Sequence, residues 1–182
     1  MAELGGRSVY ILTGGHGSLT WEQAAGNFAE AVAPCAEHAR AAGIQLMTEP
    51  VPALYADAHI AHTLGETVAV AEIADIGVCI DLFSCWTESG LKEKIERAMP
   101  RCGLVQIGDY VCGDRGLPAR AVPGDGDIPI RRILEWIVEA GYRGTFELEM
   151  MGPRIAAEGY VEAFRRAGNI VTQMLDELGV RA

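Results

Sequence analysis

Short apolar runs alternate with longer amphipathic segments along the whole chain. Each run is bounded by glycine, proline or polar residues, and together they predict five strands, at residues 8–12, 44–48, 76–80, 104–107 and 145–148. Strands that alternate with helices are typical of β/α units arranged around a parallel sheet. The pattern therefore predicts an α/β fold.

Helical segments fill the gaps between the predicted strands. The first begins at a capping box, Thr20-Trp21-Glu22-Gln23, and runs to Ala42, with Gly43 as its stop and Pro34 as the site of a kink or break. Asp127 and Pro129 are expected to cap and begin a later helix. The other helices are predicted at residues 58–74, 88–99, 130–140 and 160–178.

Length and composition indicate one domain that covers residues 1–182. A chain of 182 residues that is 49% hydrophobic can bury one sizeable core, and it contains no linker or low-complexity tract. The formal net charge of −10 would repel phosphate backbones and anionic lipid. We therefore expect a small neutral or metal-chelating molecule as the ligand, and neither nucleic acid nor membrane as a partner.

The cysteines and the N-terminal sequence indicate a cytoplasmic protein. The five cysteines are odd in number and include no C-x-x-C pair, which argues against a zinc ribbon and a full disulfide framework. The N-terminus lacks a basic stretch followed by an apolar segment, and no run reaches the roughly 18 apolar residues that span a bilayer. We expect reduced thiols and a soluble protein.

Oxygen-bearing side chains lie at the carboxyl ends of four predicted strands. Glu49, Asp81 and Glu149 end the second, third and fifth strands, and Gln106 lies late in the fourth. Ligands of parallel β/α folds bind at this edge, where the loops that leave the strands converge. Three carboxylates and an amide oxygen are donors that suit Mg²⁺ or Mn²⁺. The alternative, that each acid caps a helix or lies in solvent, stays open at this point.

The last strand offers a test of this metal-site hypothesis by its period of two. Phe146 and Leu148 should point towards covering helices, and Glu147 and Glu149 should point to the opposite face. Two buried acids on one face would need a cation.

Several segments carry a resemblance to a known family. They are Glu49-Pro50, the strand Gly77 to Asp81, the run Val105-Gln106-Ile107-Gly108-Asp109, and above all the stretch from Val122-Pro123-Gly124-Asp125-Gly126 to Glu149-Met150-Met151-Gly152-Pro153. In this order they resemble the xylose isomerase-like TIM barrels, the superfamily of sugar phosphate isomerases and epimerases.

The resemblance implies an eight-stranded barrel of which this chain supplies the family's strands four to eight. It also implies that Glu49, Asp81, Gln106 and Glu149 hold one divalent metal ion, Mn²⁺ or Mg²⁺, and that Glu49 and Glu149 are the catalytic pair that removes and returns a proton. Gln106 stands where many relatives have histidine, although the hydroxypyruvate isomerase-like branch resembles this arrangement. Ser84 stands where many relatives carry a substrate-binding histidine.

Four further residues are candidates for substrate binding. Arg115 could bind a hydroxyl, carboxylate or phosphate, although loop arginines are commonly solvated. Trp86, with Tyr110, could form a wall of a sugar pocket or simply pack, and Asp109 could orient a ligand or cap the following loop. His16, in the loop after the first strand, could touch substrate or lie in a polar turn.

His59 and His62 lie one helical turn apart in the predicted second helix. No neighbouring pattern recruits them to a metal site, and we expect both to be solvated.

Five parallel strands alone would leave two open sheet edges. We therefore expect a fragment, a truncated gene product, or a chain completed by another copy or another subunit.

The leading functional hypothesis is an isomerase or epimerase of a small keto sugar or hydroxy-keto acid, acting by proton transfer through an enediolate. Loss of a β-hydroxyl after the same proton abstraction would make it a lyase, as in similar keto-inositol dehydratases. A catalytically silent metal-binding or assembly module is the third alternative. A related endonuclease branch uses several zinc-binding histidines, whereas this chain has four histidines, none at the matching strand ends.

Overall fold

A computed structural model describes residues 2–180, which form a parallel sheet of five strands covered by helices. All neighbouring strands are parallel and follow the chain order β1 to β5. The predicted fold class is confirmed. The strands are β1 (Ser8–Ile11), β2 (Gln45–Thr48), β3 (Gly77–Asp81), β4 (Cys102–Ile107) and β5 (Thr145–Leu148).

Seven α-helices lie in the described part of the chain. They are α1 (Trp21–Ala41), α2 (Leu64–Ala74), α3 (Leu82–Cys85), α4 (Leu91–Ala98), α5 (Ile130–Glu139), α6 (Pro153–Glu158) and α7 (Tyr160–Glu177). Among these residues, none of the helices is both long and apolar enough to cross a membrane.

The first helix begins where its capping box predicts. The Thr20 hydroxyl accepts a hydrogen bond from the Gln23 backbone N–H, and the Gln23 side chain accepts one from the Thr20 N–H. The helix continues through Pro34 to Ala41, and Gly43 follows with a φ of +71°. The predicted break at Pro34 is wrong.

Two helices begin later than predicted. Helix α2 begins after Thr63, whose hydroxyl accepts from the Glu66 N–H, and not at residue 58. Glu88 is not part of α4; its carboxylate accepts from the Leu64 and Gly65 N–H groups and so caps α2. The short helices α3 and α6 were not predicted, because one or two helical turns are too short to show a clear periodic pattern in the sequence.

Asp127 does not cap α5 as predicted. Its carboxylate accepts instead from the Cys112 N–H across the loop that follows β4, and Pro129 occupies the capping position of the helix.

The main core lies between the outer face of the sheet and the helices. Alternate strand residues pack against the apolar faces of α2, α4 and α5, and the cluster includes Val78, Ile80, Val105, Ile107, Leu64, Ile95, Ile133 and Ile137. Phe146 and Leu148 pack against this cluster, as the period of two predicts.

The inner face of the sheet carries a small apolar layer below the strand ends. Met47, Cys79 and Leu104, from three neighbouring strands, are buried against one another. Glu147, on β5 at the edge of the sheet, is exposed, and Glu149, just after β5, is half-buried. The expectation of two buried acids therefore fails for Glu147, because the inner face is open along this edge.

Buried His59 joins the loops that follow β1 and β2. Its Nδ1 atom accepts from the Thr13 N–H at 3.0 Å, so Nε2 carries the proton and donates to the Glu49 carbonyl oxygen at 2.9 Å. Burial lowers its pKa from 6.5 to about 4. The prediction of two solvated histidines on one helix is wrong, since both precede α2, His59 is fully buried and His62 is half-buried.

We expect Ile133→Ala to lower the free energy of unfolding by about 2–5 kcal/mol, because Ile133 is fully buried in the main core and its truncation leaves a cavity. Urea denaturation measures this change. Ile73→Ala is the matched control: its side chain is 50% exposed on α2, so a loss of under about 1 kcal/mol is expected. Equal losses for the two variants would contradict the position of the core.

We expect the pKa of His59 to make the folded chain less stable as the pH falls from 6.5 towards 4, because the unfolded chain binds a proton there that the folded chain does not. Replacing His59 with Gln should remove up to about 1.4 kcal/mol per pH unit of this dependence. Urea unfolding at a series of pH values measures it. A wild-type slope in His59→Gln would show that His59 is not held neutral.

Candidate active site

The carboxyl ends of three strands bring the predicted acids to one cleft. Glu49 follows β2, Asp81 ends β3 and Glu149 follows β5, and all three line a cleft of about 140 Å³. Gly108 allows the close approach of the last two strands, since a Cβ atom there would lie 2.5 Å from the Glu149 carbonyl oxygen. Parallel strand ends thus converge as the sequence predicts.

Gln106 lies beside Asp81 in the register of the sheet but is fully buried. Its amide oxygen accepts from the Cys79 thiol at 3.2 Å, and its amide nitrogen donates to Glu147 at 3.3 Å. Its side chain is absent from the lining of the acid cleft. Gln106 is thus a neighbour of Asp81 in the sheet, but it does not share the surface of the cleft with the three acids.

A buried arginine, Arg120, lies among the carboxylates. Its two terminal nitrogens donate to the two oxygens of Asp81, each at 3.0 Å, and Nη2 also lies 2.7 Å from Oε2 of Glu149. The guanidinium carbon lies 4.4 Å from the centre of the Phe83 ring. Arg120 enters from the loop after β4, where its backbone N–H donates to the Met151 carbonyl. It therefore links the ends of three β/α units.

The carboxylate of Asp81 is fully engaged. Besides Arg120, its Oδ1 accepts from the Phe83 N–H at 3.1 Å, and its Oδ2 accepts from the Ser84 hydroxyl at 2.6 Å. Each oxygen thus has two donors, which matches its two lone pairs. Ser84 stands where many proteins of the resembled family carry a histidine, and here its hydroxyl donates to Asp81.

The carboxylates of Glu49 and Glu149 are less well neutralised by neighbouring groups than that of Asp81. Burial, followed by repulsion from Asp81 and Glu149, raises the pKa of Glu49 to about 8, although Arg120 acts in the opposite direction. Burial also raises the pKa of Glu149 against the attraction of Arg120. Oε2 of Glu149 is buried and lies close to Arg120 without a hydrogen bond of proper alignment. The cleft therefore holds three carboxyl groups beside one arginine, an arrangement that favours the protonated form of Glu49.

The chemistry of this donor set fits a hard divalent cation. Carboxylate oxygens are preferred ligands of Mg²⁺ and Mn²⁺, three carboxylates line the cleft, and Oε2 of Glu149 is buried without a hydrogen bond. Within residues 2–180, however, no three His, Cys, Asp or Glu side chains are grouped closely enough to hold a metal ion. The guanidinium of Arg120 donates to both oxygens of Asp81 in this arrangement.

Asp109 organises the loop after β4 from within. It is fully buried, and its carboxylate accepts hydrogen bonds from four backbone N–H groups, those of Tyr110, Gly124, Gly126 and Ile128. A Cβ atom on Gly126 would lie 2.4 Å from Oδ1 of Asp109, so the glycine permits this approach. The geometry is that of a loop cap, the alternative that the sequence left open.

Trp86 and Arg115 line a second cleft, of about 270 Å³, beside the acid cleft. Phe83 and Tyr110 supply further walls, and Arg115 donates to the Tyr110 hydroxyl at 3.3 Å. The two clefts share Pro52, Phe83 and Leu117. A molecule at the three acids can therefore extend along the aromatic side chains to the guanidinium of Arg115.

His16 is exposed in the loop after β1 and belongs to the lining of neither cleft. Sequence reasoning missed Arg120 and His59, which contact Asp81 and the Glu49 backbone respectively. The one signal for Arg120 was its position just before the Val122-Pro123-Gly124-Asp125-Gly126 stretch. No local pattern distinguishes it from a solvated arginine.

Comparison with solved structures places the fold among known barrels. A protein from Sinorhizobium meliloti 1021 matches with a TM-score of 0.77 and 31% identity, over 92% of this chain and 66% of the other. An IolI protein with a binding zinc atom matches with a TM-score of 0.81 and 16% identity, over 97% and 66%. An L-ribulose 3-epimerase matches with a TM-score of 0.75 and 22% identity, over 97% and 64%. This chain thus spans about two thirds of the length of these proteins.

A search of curated proteins gave no match. A family model described as the xylose isomerase-like TIM barrel matches residues 1–169, which include every strand and the whole acid cleft. The chain therefore belongs to the family of xylose isomerase-like TIM barrels.

Proposed function

We propose that the acid cleft is the active site of a divalent-metal-dependent isomerase or epimerase of a small keto sugar or hydroxy-keto acid. The observation that carries the proposal is the convergence of Glu49, Asp81 and Glu149, which line one cleft at the carboxyl ends of parallel strands. Two carboxylates in one cleft can divide the removal and the return of a proton between them. The epimerase and the zinc-binding protein of the same fold support this proposal.

Glu49, Asp81 and Glu149 would hold the ion, Mn²⁺ or Mg²⁺. Gln106, whose amide oxygen accepts from the Cys79 thiol, would have to turn towards the cleft to join them as the fourth ligand. When bound, the ion would polarise the carbonyl of the substrate and make the neighbouring C–H group more acidic. Glu49 and Glu149 would then divide the proton transfer, with one carboxylate removing the proton and the other returning it. His59 holds the Glu49 backbone in place through its 2.9 Å hydrogen bond.

The neighbouring aromatic cleft would receive the rest of the substrate. Trp86 offers a flat apolar face for the carbon skeleton, and Arg115 offers a cationic fork for a hydroxyl, carboxylate or phosphate. Because Arg115 is exposed, it can turn towards such a group without leaving a buried partner.

We expect the Mn²⁺-loaded protein to exchange the hydrogen next to the carbonyl of a keto sugar with deuterium from solvent. Replacing Glu149 with Gln should slow this exchange by about 10²-fold or more, because the amide cannot accept the proton. Nuclear magnetic resonance of a panel of ketoses and hydroxy-keto acids in heavy water measures the rate. Glu37→Gln, on the exposed surface of α1, is the control and should exchange at the wild-type rate.

The products of this reaction separate the alternatives. Loss of water from the substrate would identify a lyase instead of an isomerase. No exchange with any substrate, with Mn²⁺ bound, would contradict the enzymatic proposal and favour a metal-binding or assembly module.

The partner prediction also stays a prediction: a second copy or another chain covers the edges of the sheet at β1 and β5. Tyr10 and Leu12, on and just after β1, are 39% and 40% exposed. We expect light scattering to show a species larger than the 19.5 kDa monomer, because exposed strand edges favour pairing. A monomer that unfolds cooperatively would contradict this expectation.

A further inference from the structure

A third cleft, of about 220 Å³, lies between the loop after β4 and the start of α6. Two arginines from these two segments, Arg115 and Arg154, line this cationic cleft. It has no lining residue in common with the acid cleft, but it shares Asp114, Arg115 and Gly116 with the aromatic cleft. The aromatic cleft therefore adjoins the acid cleft and the cationic cleft.

Asp114 holds Arg154 in place and balances its charge. Its two carboxylate oxygens accept from Nε and Nη2 of Arg154, at 2.7 and 3.2 Å. These bonds lower the pKa of Asp114, so the carboxylate stays ionised. A guanidinium has five N–H donors, of which this pair uses two, so three remain on Arg154 for a ligand.

Arg115, in contrast, contacts neutral oxygens. Its Nη1 atom donates to the Tyr110 hydroxyl at 3.3 Å and to the Asp114 carbonyl oxygen at 3.4 Å. Within residues 2–180, no Asp or Glu oxygen lies within 4.0 Å of its guanidinium nitrogens. The cationic cleft thus carries two positive charges against one negative charge, although the whole chain has a formal net charge of −10.

The two walls of the cationic cleft are fastened to each other beside the acid cleft. Gly152 has a φ of +124°, and a Cβ atom there would lie 2.6 Å from the Pro118 carbonyl oxygen. The Arg120 N–H donates to the Met151 carbonyl oxygen at 3.1 Å. The backbone segments that carry the two arginines are therefore fixed before a ligand arrives, which lowers the entropy cost of binding.

We propose that the cationic cleft binds an anionic group, a phosphate or a carboxylate, at the end of the substrate remote from the reacting carbonyl. This inference rests on the proposed function, which places that carbonyl at the acid cleft. The planar fork of a guanidinium matches the oxygens of either anion. The carbon skeleton lies along the aromatic cleft, and the substrate is a keto sugar or hydroxy-keto acid with a terminal anion.

Inorganic phosphate tests the site without substrate or metal. In metal-free protein labelled with ¹⁵N-arginine, phosphate should shift the Nε–H resonances of Arg115 and Arg154, which are assigned by their absence from Arg115→Met and Arg154→Met. Either substitution should raise the Kd for phosphate at least tenfold, because each removes one of the two guanidinium groups.

Arg97→Met is the matched control for phosphate binding. It breaks an exposed ion pair with Glu72, between α4 and α2, and should bind phosphate like the wild type. All three arginines are exposed, so the variants should fold, with melting temperatures close to that of the wild type. Equal Kd values in the wild type and the three variants would overturn the anion site.

Kinetics with substrates test whether the anion site serves the reaction. The Mn²⁺-loaded protein is given a ketose, its terminal phosphate ester and the keto acid with a terminal carboxylate, and deuterium exchange is followed. The KM of the better anionic compound should be at least tenfold below that of the neutral ketose, with a similar kcat, because the anion lies away from the reacting atoms. Arg115→Met should remove this difference, and Arg97→Met should keep it.

The outcomes separate this inference from the proposed function. Equal KM values for the neutral and the anionic compounds would overturn the inference and leave the isomerase or epimerase standing. Phosphate binding that both cleft variants weaken, without exchange of any compound, would support the anion site and overturn the proposed function. Absence of both phosphate binding and exchange would overturn both ideas.

Discussion

The ion pair between Arg120 and Asp81 stabilises the folded structure at the edge of the sheet where the three acids lie. Parallel strands deliver Glu49, Asp81 and Glu149 to one cleft, and burial makes their mutual repulsion costly. Two aligned hydrogen bonds from a guanidinium offset part of that cost, and removing one partner of such a buried pair typically costs about 3–5 kcal/mol. The same contacts fasten the loop after β4 to the ends of β3 and β5.

Much of the fold could be predicted from the sequence because its signals are local. Each strand is a short apolar run between breaking residues, and the alternation in β5 correctly assigned Phe146 and Leu148 to the helix-covered face. The error at residues 58–63 has a non-local cause. The segment contains Ala58 and Ala61, which suit a helix, but the ring of His59 bonds Thr13 and Glu49 instead, and these contacts hold it outside α2.

The candidate site could also be predicted only in part from the sequence. The convergence of Glu49, Asp81 and Glu149 follows from their positions at parallel strand ends, which the sequence displays. The environments of Arg120 and Asp109 depend on the path of the loop between β4 and α5. The sequence does not reveal whether an arginine contacts a carboxylate or water. It also does not reveal that an aspartate accepts hydrogen bonds from four backbone N–H groups.

The way in which Asp109 anchors its loop bears on how such proteins diverge. The carboxylate fixes the base of the loop through Tyr110, Gly124, Gly126 and Ile128, whereas Arg115 and Leu117 lie outside those contacts and line the aromatic cleft. Mutations in the outer part of the loop can therefore accumulate without altering the path of the backbone beneath it. Substitutions there would change the lining of the aromatic cleft and leave the acid residues in their positions at the strand ends.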